Sequence, residues 1–317
     1  MKSIGNKITT NMSLFAFLGF LIILFSFTSE HFLGTYNITS LLTNISYSGI
    51  AAIVLTLVMI SRGLDISIGG VIGLTTVVVA TLYSQPDPFP VWLILIIGLS
   101  TGTLVGMLNG WCVTVLDMDP IITTLGTMAI TRGLAYVISD AQSILMFEDT
   151  TDFISNGTIF YIPMPIILFL LTALIFSIIL HKSKFGRTIY AIGANEASAK
   201  LSGISVKPVK MILYVLSGLA ASVSGIILLG QTSVGMPQHG IGTELEVITA
   251  VLLGGTALSG GKGTIYGTIA GVLILGVLFN GLTISGVRYV HLQIFQGILL
   301  LVAVATYEIK TRNEVAS

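Results

Sequence analysis

The stretch Val91-Trp-Leu-Ile-Leu-Ile-Ile-Gly98-Leu-Ser-Thr-Gly102-Thr-Leu-Val-Gly106-Met-Leu-Asn-Gly110-Trp-Cys-Val-Thr-Val115 runs from end to end without a charged side chain. As a helix rising about 1.5 Å per residue it is long enough to cross about 30 Å of hydrocarbon. Its glycines recur every fourth residue at 98, 102, 106 and 110. That spacing puts them on one ridge of the helix, where a neighbouring backbone can approach closely. Association of helices in lipid rests on such van der Waals contact, because hydrophobicity does not draw helices together there.

The rest of the chain repeats the theme. Of its 317 residues 54% are hydrophobic and only 9% charged, where a soluble domain carries about 25%. Too few charges exist to clothe a soluble core of this length, and a lipid-facing surface removes the need for them. The formal net charge is zero, which gives no electrostatic footprint for nucleic acid. The single cysteine, Cys112, rules out a disulfide framework within the chain and reads as a small core residue.

Apolar runs recur at 12–29, 45–60, 66–83, 91–115, 120–138, 163–180, 210–230, 245–258, 264–283 and 291–307, so the expected fold is all-α: a polytopic transmembrane bundle of about ten spans. The first run follows Lys2 and Lys7 but no small-x-small cleavage site follows it, so it reads as an uncleaved first span. Lys2, Lys7, Arg62, Lys182, Lys184, Arg187, Lys200, Lys207, Lys210, Lys262, Lys310 and Arg312 fall on one side, 12 of the 14 basic residues. The positive-inside rule makes that side, with both termini, cytoplasmic. Arg288 falls in an outer loop and Arg132 within the fifth span. Outer loops carry Glu30, Asp87, Asp140, Glu148, Asp149 and Asp152. The expected division is a tail over 1–11, one membrane domain over 12–307 with an inner loop at 181–210, and a tail over 308–317.

Several local signals place ends and contacts. Asp119-Pro120 reads as an N-cap followed by proline at the first helical position, and Tyr161 with Pro163 suits an interface and a helix start. Asp117 and Asp119 form a D-x-D pair, for which capping is preferred over metal binding because no further ligands lie nearby. A second glycine ridge is expected at Gly263, Gly267 and Gly271. Asn109 and Asn280, each before a glycine, are read as hydrogen-bonding across helices or lining a polar path. Spans 2–5 and 7–10 begin on opposite sides, the arrangement of an inverted repeat, although their residues show no clear self-similarity.

No catalytic constellation emerges. Gly255-Thr-Ala-Leu-Ser-Gly-Gly-Lys262-Gly263 lacks the order of a phosphate-binding loop, and neither H-E-x-x-H nor G-x-S-x-G occurs. His31, His181, His239 and His291 are scattered, and read as solvated or interfacial. Arg132 is the main charge inside a span, expected to reach an interface or the acidic outer loop, and Glu244 and Glu246 are expected to be wet. Ion-driven carriers usually need more buried charge than this, so the energy is expected from another subunit.

The inner loop His181-Lys-Ser-Lys-Phe-Gly186-Arg187-Thr-Ile-Tyr-Ala-Ile-Gly-Ala-Asn195-Glu196-Ala197-Ser198-Ala-Lys200-Leu-Ser-Gly203-Ile-Ser-Val-Lys-Pro-Val-Lys210 holds six of the basic residues. Asn195 to Leu201 has a cap and helix formers, and Gly203 stops it. Physics alone allows two roles: a headgroup anchor, or a docking helix for a cytoplasmic partner.

This loop resembles that of permease subunits of bacterial ABC sugar importers of the ribose type. Ser61-Arg62-Gly63-Leu64-Asp65-Ile66-Ser67-Ile68-Gly69-Gly70, Pro120 to Met128 with Arg132-Gly133, and Val251 to Gly263 resemble further family blocks, in order, over roughly 45–305. Arg62 stands where the family often has glycine, and Ser198 where it has alanine. The resemblance implies a pathway formed by two permease chains, identical or related, in a bacterial cytoplasmic membrane. Two ATPase subunits, which carry the ATP and Mg, dock on the inner loops, and an extracytoplasmic binding protein delivers a monosaccharide. This chain itself needs no cofactor. Glu196, Ala197, Ser198 and Gly203 would form the ATPase-contacting segment, supported by Gly186 and Arg187. The alternatives are a stand-alone carrier or channel for a small polar solute, and an intramembrane enzyme, for which catalytic residues are missing.

Overall fold

The computed structural model describes residues 2–146 and 157–316. The acidic loop residues Glu148, Asp149 and Asp152 lie outside the described residues. The chain is a helical bundle. Its helices are α1 (Lys2–Thr28), α2 (Thr35–Ile60), α3 (Ile68–Tyr83), α4 (Val91–Thr114), α5 (Pro120–Ile138), α6 (Met164–Lys182), α7 (Lys184–Ala194), α8 (Glu196–Leu201), α9 (Val206–Thr232), α10 (Thr243–Leu253), α11 (Ile265–Ile284) and α12 (Tyr289–Ala316). Every expected span coincides with a helix, but not all are equal. Among the described residues, six helices are long and apolar enough to cross a membrane: α2, α4, α5, α6, α9 and α11. Shorter apolar helices cover Leu14–Thr28, Ile68–Tyr83 and Val290–Ala305. The segment expected as a span at 245–258 is corrected: α10 has 11 residues and reaches only about 16 Å, half the hydrocarbon thickness. Gly254 and Gly255, the latter at φ +83°, end it.

Two-residue ribbons close the end opposite the 181–210 loop. β1 (Ile144–Leu145) pairs antiparallel with β4 (Val234–Gly235), and β2 (Thr158–Ile159) with β3 (Ile162–Pro163). Tyr161 is fully exposed in the β2–β3 turn, and Pro163 precedes α6 as its N-cap.

The glycine ridge of α4 packs as the sequence leads one to expect. Gly98, Gly102, Gly106 and Gly110 are all buried. A Cβ at Gly102 would meet the Gly218 carbonyl and Ser222, one at Gly106 the Tyr214 carbonyl, and one at Gly110 Met211, all on α9. Ser222 Oγ accepts the Gly102 N–H at 2.9 Å, so the backbones are close enough for a side chain of one helix to bond the main chain of the other. On α11, Gly267 and Gly271 face the carbonyls of Gly254 and Ala250. Gly263 lies ahead of that helix, in the turn before the cap Thr264.

The packing has an internal order. α4 lies on α9 as α11 lies on α2; α3 packs on α4, α5 and α9, and α10 packs on α11, α12 and α2. Exchanging α2–α5 for α9–α12 maps each of these pairs onto another. This is the contact pattern of two structural repeats, although the residues themselves show no self-similarity.

The core is most complete along α2, where every residue from Ser48 to Ile60 is buried. Several polar side chains inside the bundle join helices. Thr56 and Thr268 hydroxyls are 2.6 Å apart, Ser224 Oγ donates to the Tyr47 carbonyl at 2.6 Å, and the amides of Asn37 and Asn280 donate to each other at 3.0 and 2.9 Å.

Candidate functional site: the junction beneath the 181–210 loop

Local chemistry builds the loop into two helices. Ser183 caps α7, its Oγ accepting the Gly186 N–H at 3.0 Å. Gly186 is required by close approach, since a Cβ there would strike the carbonyls of Ile179 and Leu180. Phe185, Ile189 and Ile192 then fall on one face, and Ile189 and Ile192 are buried. Asn195 caps α8, its Oδ1 accepting the Ser198 N–H at 2.9 Å. Gly203, at φ +81°, ends it as expected. Its N–H reaches the Lys200 carbonyl and that of Ile204 the Ala199 carbonyl, the two bonds of a Schellman cap.

The sequence-predicted residues separate by role. Ala197, Ser198, Gly203 and Arg187 are exposed. Glu196 is turned inward: its carboxylate accepts from Lys210 Nζ at 2.6 Å and from Lys200 Nζ at 2.9 Å. The hydrogen bond from Lys210, then that from Lys200, holds the Glu196 carboxyl below the usual glutamate range. Glu196 thus ties α8 to the second turn of α9. Leu201, which sequence reasoning passed over, is 90% exposed at the tip of α8. A leucine left bare at the end of a capped helix is the signal that would have found it.

Under the loop lies a junction of three segments. Arg62 follows α2 at φ +63°, the left-handed position of a Schellman cap, with Arg62 N–H to the Met59 carbonyl and Gly63 N–H to that of Val58. Its guanidinium donates from Nε to the Gly193 carbonyl at 2.8 Å and from Nη2 to the Ala194 carbonyl at 2.8 Å. Those carbonyls end α7, where the helix dipole favours a cation. The Gly261 N–H donates to the Ile60 carbonyl at 2.8 Å, and Tyr190 Oη donates to the Gly263 carbonyl at 2.7 Å. Gly193 sits so close to Ile60 and Gly261 that a side chain would collide with both backbones. The 255–263 segment, rejected above as a phosphate loop, therefore serves as a packed turn.

Farther in, Asp65 is 1% exposed. Its Oδ1 accepts from Ser67 N at 3.0 Å and Ser67 Oγ at 2.5 Å, and Asn109 Nδ2 donates to Ser67 Oγ at 2.9 Å. Asn109 thereby joins α4 to the α2–α3 turn, while Asn280 joins α11 to α2 through Asn37. Both asparagines are engaged across helices, the first of the two expected roles.

Two expectations are corrected. Arg132 bonds a different segment from the one expected: its Nη1 donates to the carbonyls of Pro237 at 2.9 Å and His239 at 2.8 Å, fixing the turn before α10. Glu244 and Glu246 are half-buried rather than wet, because the short α10 lies across α2 and α3. Glu244 Oε1 accepts the Gly242 N–H at 3.2 Å, and its Oε2 packs where a Gly69 side chain would stand. The capping reading of the D-x-D pair holds for Asp119, which caps α5 through Ile121 and Ile122 N–H at 2.9 and 3.1 Å, while Asp117 approaches Lys207 at 3.8 Å.

Comparison with known proteins places this geometry. Residues 37–304 match the family described as the permease component of the branched-chain amino acid transport system. The chain is 40% identical over 287 residues to the ribose import permease protein RbsC of Bacillus subtilis, covering 90% of this chain and 88% of the relative. It is 37% identical over 263 residues to the L-arabinose transport system permease protein AraH of Escherichia coli, covering 82% and 79%. It is 36% identical over 282 residues to the D-allose transport system permease protein AlsC of the same species, covering 88% and 86%. No solved structure matches the chain. With a family match across most of its length and relatives of this identity and coverage, the chain belongs to the branched-chain amino acid transport permease family.

Proposed function

We propose that the chain is the membrane-spanning permease subunit of an ATP-driven bacterial sugar importer, carrying a monosaccharide of the ribose, arabinose or allose kind across the inner membrane. The relatives' names supply the substrate class. The observation that carries the coupling half of the reading is the 183–205 segment. It offers an exposed tip of Ala197, Ser198 and Leu201 on one side and is bonded to α2, α9 and the 255–263 turn on the other.

In this reading the basic end, with both termini, faces the cytoplasm, and about ten segments enter the membrane, α10 only partway. ATP and Mg are bound by two separate ATPase subunits. These dock on α8, with Ala197, Ser198 and Leu201 in contact and Glu196, Gly186, Arg187 and Gly203 shaping the helix that presents them. A second permease chain, identical or related, completes the pathway, and Asn109 and Asn280 are candidates to border it. A binding protein delivers sugar to the opposite end. Movement of packed units such as α4 on α9 then opens the pathway by shear. Reconstitution with a partner ATPase and binding protein tests the reading: sugar uptake must require ATP and all three components.

A further inference from the structure

We infer that Arg62 is a coupling residue particular to this permease, a mechanical link through which the docking helices move the core. The inference rests on the reading above that α7 and α8 receive the ATPase stroke. Three observations carry it.

First, the contact has the geometry of a strut. The two bonds from Arg62 run at 2.8 Å each, from separate guanidinium nitrogens to successive carbonyls, Gly193 and Ala194. A planar fork held at two points resists both rotation and withdrawal, which a lysine point charge does not. The charge also sits against the negative end of α7, so the attachment is charge-assisted.

Second, the residue is held where an arginine is unfavourable. At φ +63° it occupies the C′ position of the α2 cap, which glycine fills at no steric cost. A side chain retained at such a position is compensated elsewhere, and the structure shows the compensation: both carbonyls of the α7 end. Gly260 also packs on the Arg62 side chain.

Third, Arg62 is the one side chain among the described residues seen to bond from the end of α2 to α7. Other ties at this junction include Gly261 N–H to the Ile60 carbonyl, between backbones, and Tyr190 to Gly263, which joins α7 to the 255–263 turn. α2 is buried along its inner half and packs on α6, α9, α10 and α11. A displacement of α7 delivered to the end of α2 therefore reaches most of the bundle. Arg62 is a positioning residue: it touches no sugar and acts through α7.

The test uses the whole complex in proteoliposomes and reads sugar delivered per ATP hydrolysed. The probe is whichever of labelled D-ribose, L-arabinose or D-allose the wild-type complex imports. A wild type that imports none of them in an ATP-dependent way defeats the functional reading, not the strut. In Arg62→Gly the left-handed cap keeps its natural occupant, so the fold is retained, which a thermal melt verifies. Expected are unchanged ATPase association, retained ATP hydrolysis, and sugar per ATP lowered about tenfold, within the ordinary range of coupling between two sites. Arg62→Lys, with one point charge for two bonds, falls between, and carries the test should the glycine variant not fold. A wild-type ratio of sugar to ATP in these variants overturns the inference. So does loss of ATPase association, which would make the contact part of docking rather than transmission.

Discussion

Gly106→Ala tests the packing on which every shear movement in this account depends. The added Cβ would lie 3.0 Å from both the Tyr214 carbonyl carbon and Val215 Cα, and nearer still to the Tyr214 oxygen. These are backbone atoms of α9 and cannot rotate aside. Restoring ordinary contact means parting α4 from α9 by roughly 0.5–1 Å along a seam that also includes Gly98, Gly102 and Gly110, and overpacking of that kind costs about 1–3 kcal/mol. Alanine regains about 0.5–1 kcal/mol over glycine inside a helix, so the steric term must be isolated. Gly19→Ala in α1 is the control, because nothing lies within 4 Å of a Cβ there, and it gains the same propensity without the clash. Between the two variants the propensity term cancels, leaving about 1–3 kcal/mol. At roughly 2–4 °C per kcal/mol for chains of 150–250 residues, Gly106→Ala should melt about 2–12 °C below Gly19→Ala. Thermal melts of the purified chains in one lipid nanodisc read this directly. Equal melting temperatures, or a higher one for Gly106→Ala, would refute the reading of the ridge as a close backbone seam.

Two further outcomes follow from the docking loop. Glu196 is held below the ordinary glutamate range by Lys210 and then Lys200, so its contribution is present at neutral pH and disappears as pH falls through its lowered folded value. Amide exchange of α8 relative to α2 should therefore hold steady from neutrality down to about pH 4 and quicken only below that. In Lys210→Met the quickening should appear at higher pH, and the loss at neutral pH should be about 1 kcal/mol or less, since the pair is partly screened. Leu201→Asp should leave the melting temperature unchanged, because the side chain is 90% exposed, while ATPase co-purification and ATP-driven uptake both fall by tenfold or more, the scale of a lost interface anchor (about 1–2 kcal/mol).

What the sequence disclosed was what is local. Asn195 and Gly203 define α8 because capping acts over three or four residues, and Asp119-Pro120 starts α5 for the same reason. The glycines of α4 were readable as a ridge because a helix repeats every few residues, although nothing local says that α9 is its partner. α7 is less legible because the loop's charges interrupt the apolar spacing of Phe185, Ile189 and Ile192. The Gly254-Gly255 pair could have shortened α10 on paper, since glycine is the ordinary helix stop. Glu244 was beyond reach: its half-burial follows from α10 crossing α3 at Gly69, a contact between distant segments. Arg62 shows both cases at once. Its place after α2, where the family resemblance puts glycine, marks a left-handed cap, but its target lies 131 residues on, and only the folded chain brings them together.

The central claim is that this chain moves sugar only when driven from the cytoplasm. Proteoliposomes containing the permease, its ATPase and external binding protein, with ATP sealed inside, measure that directly. Labelled sugar should accumulate, and accumulation should stop when ATP, the ATPase or the binding protein is omitted. Uptake by the permease alone, without ATP, would contradict it and identify a self-sufficient carrier or channel.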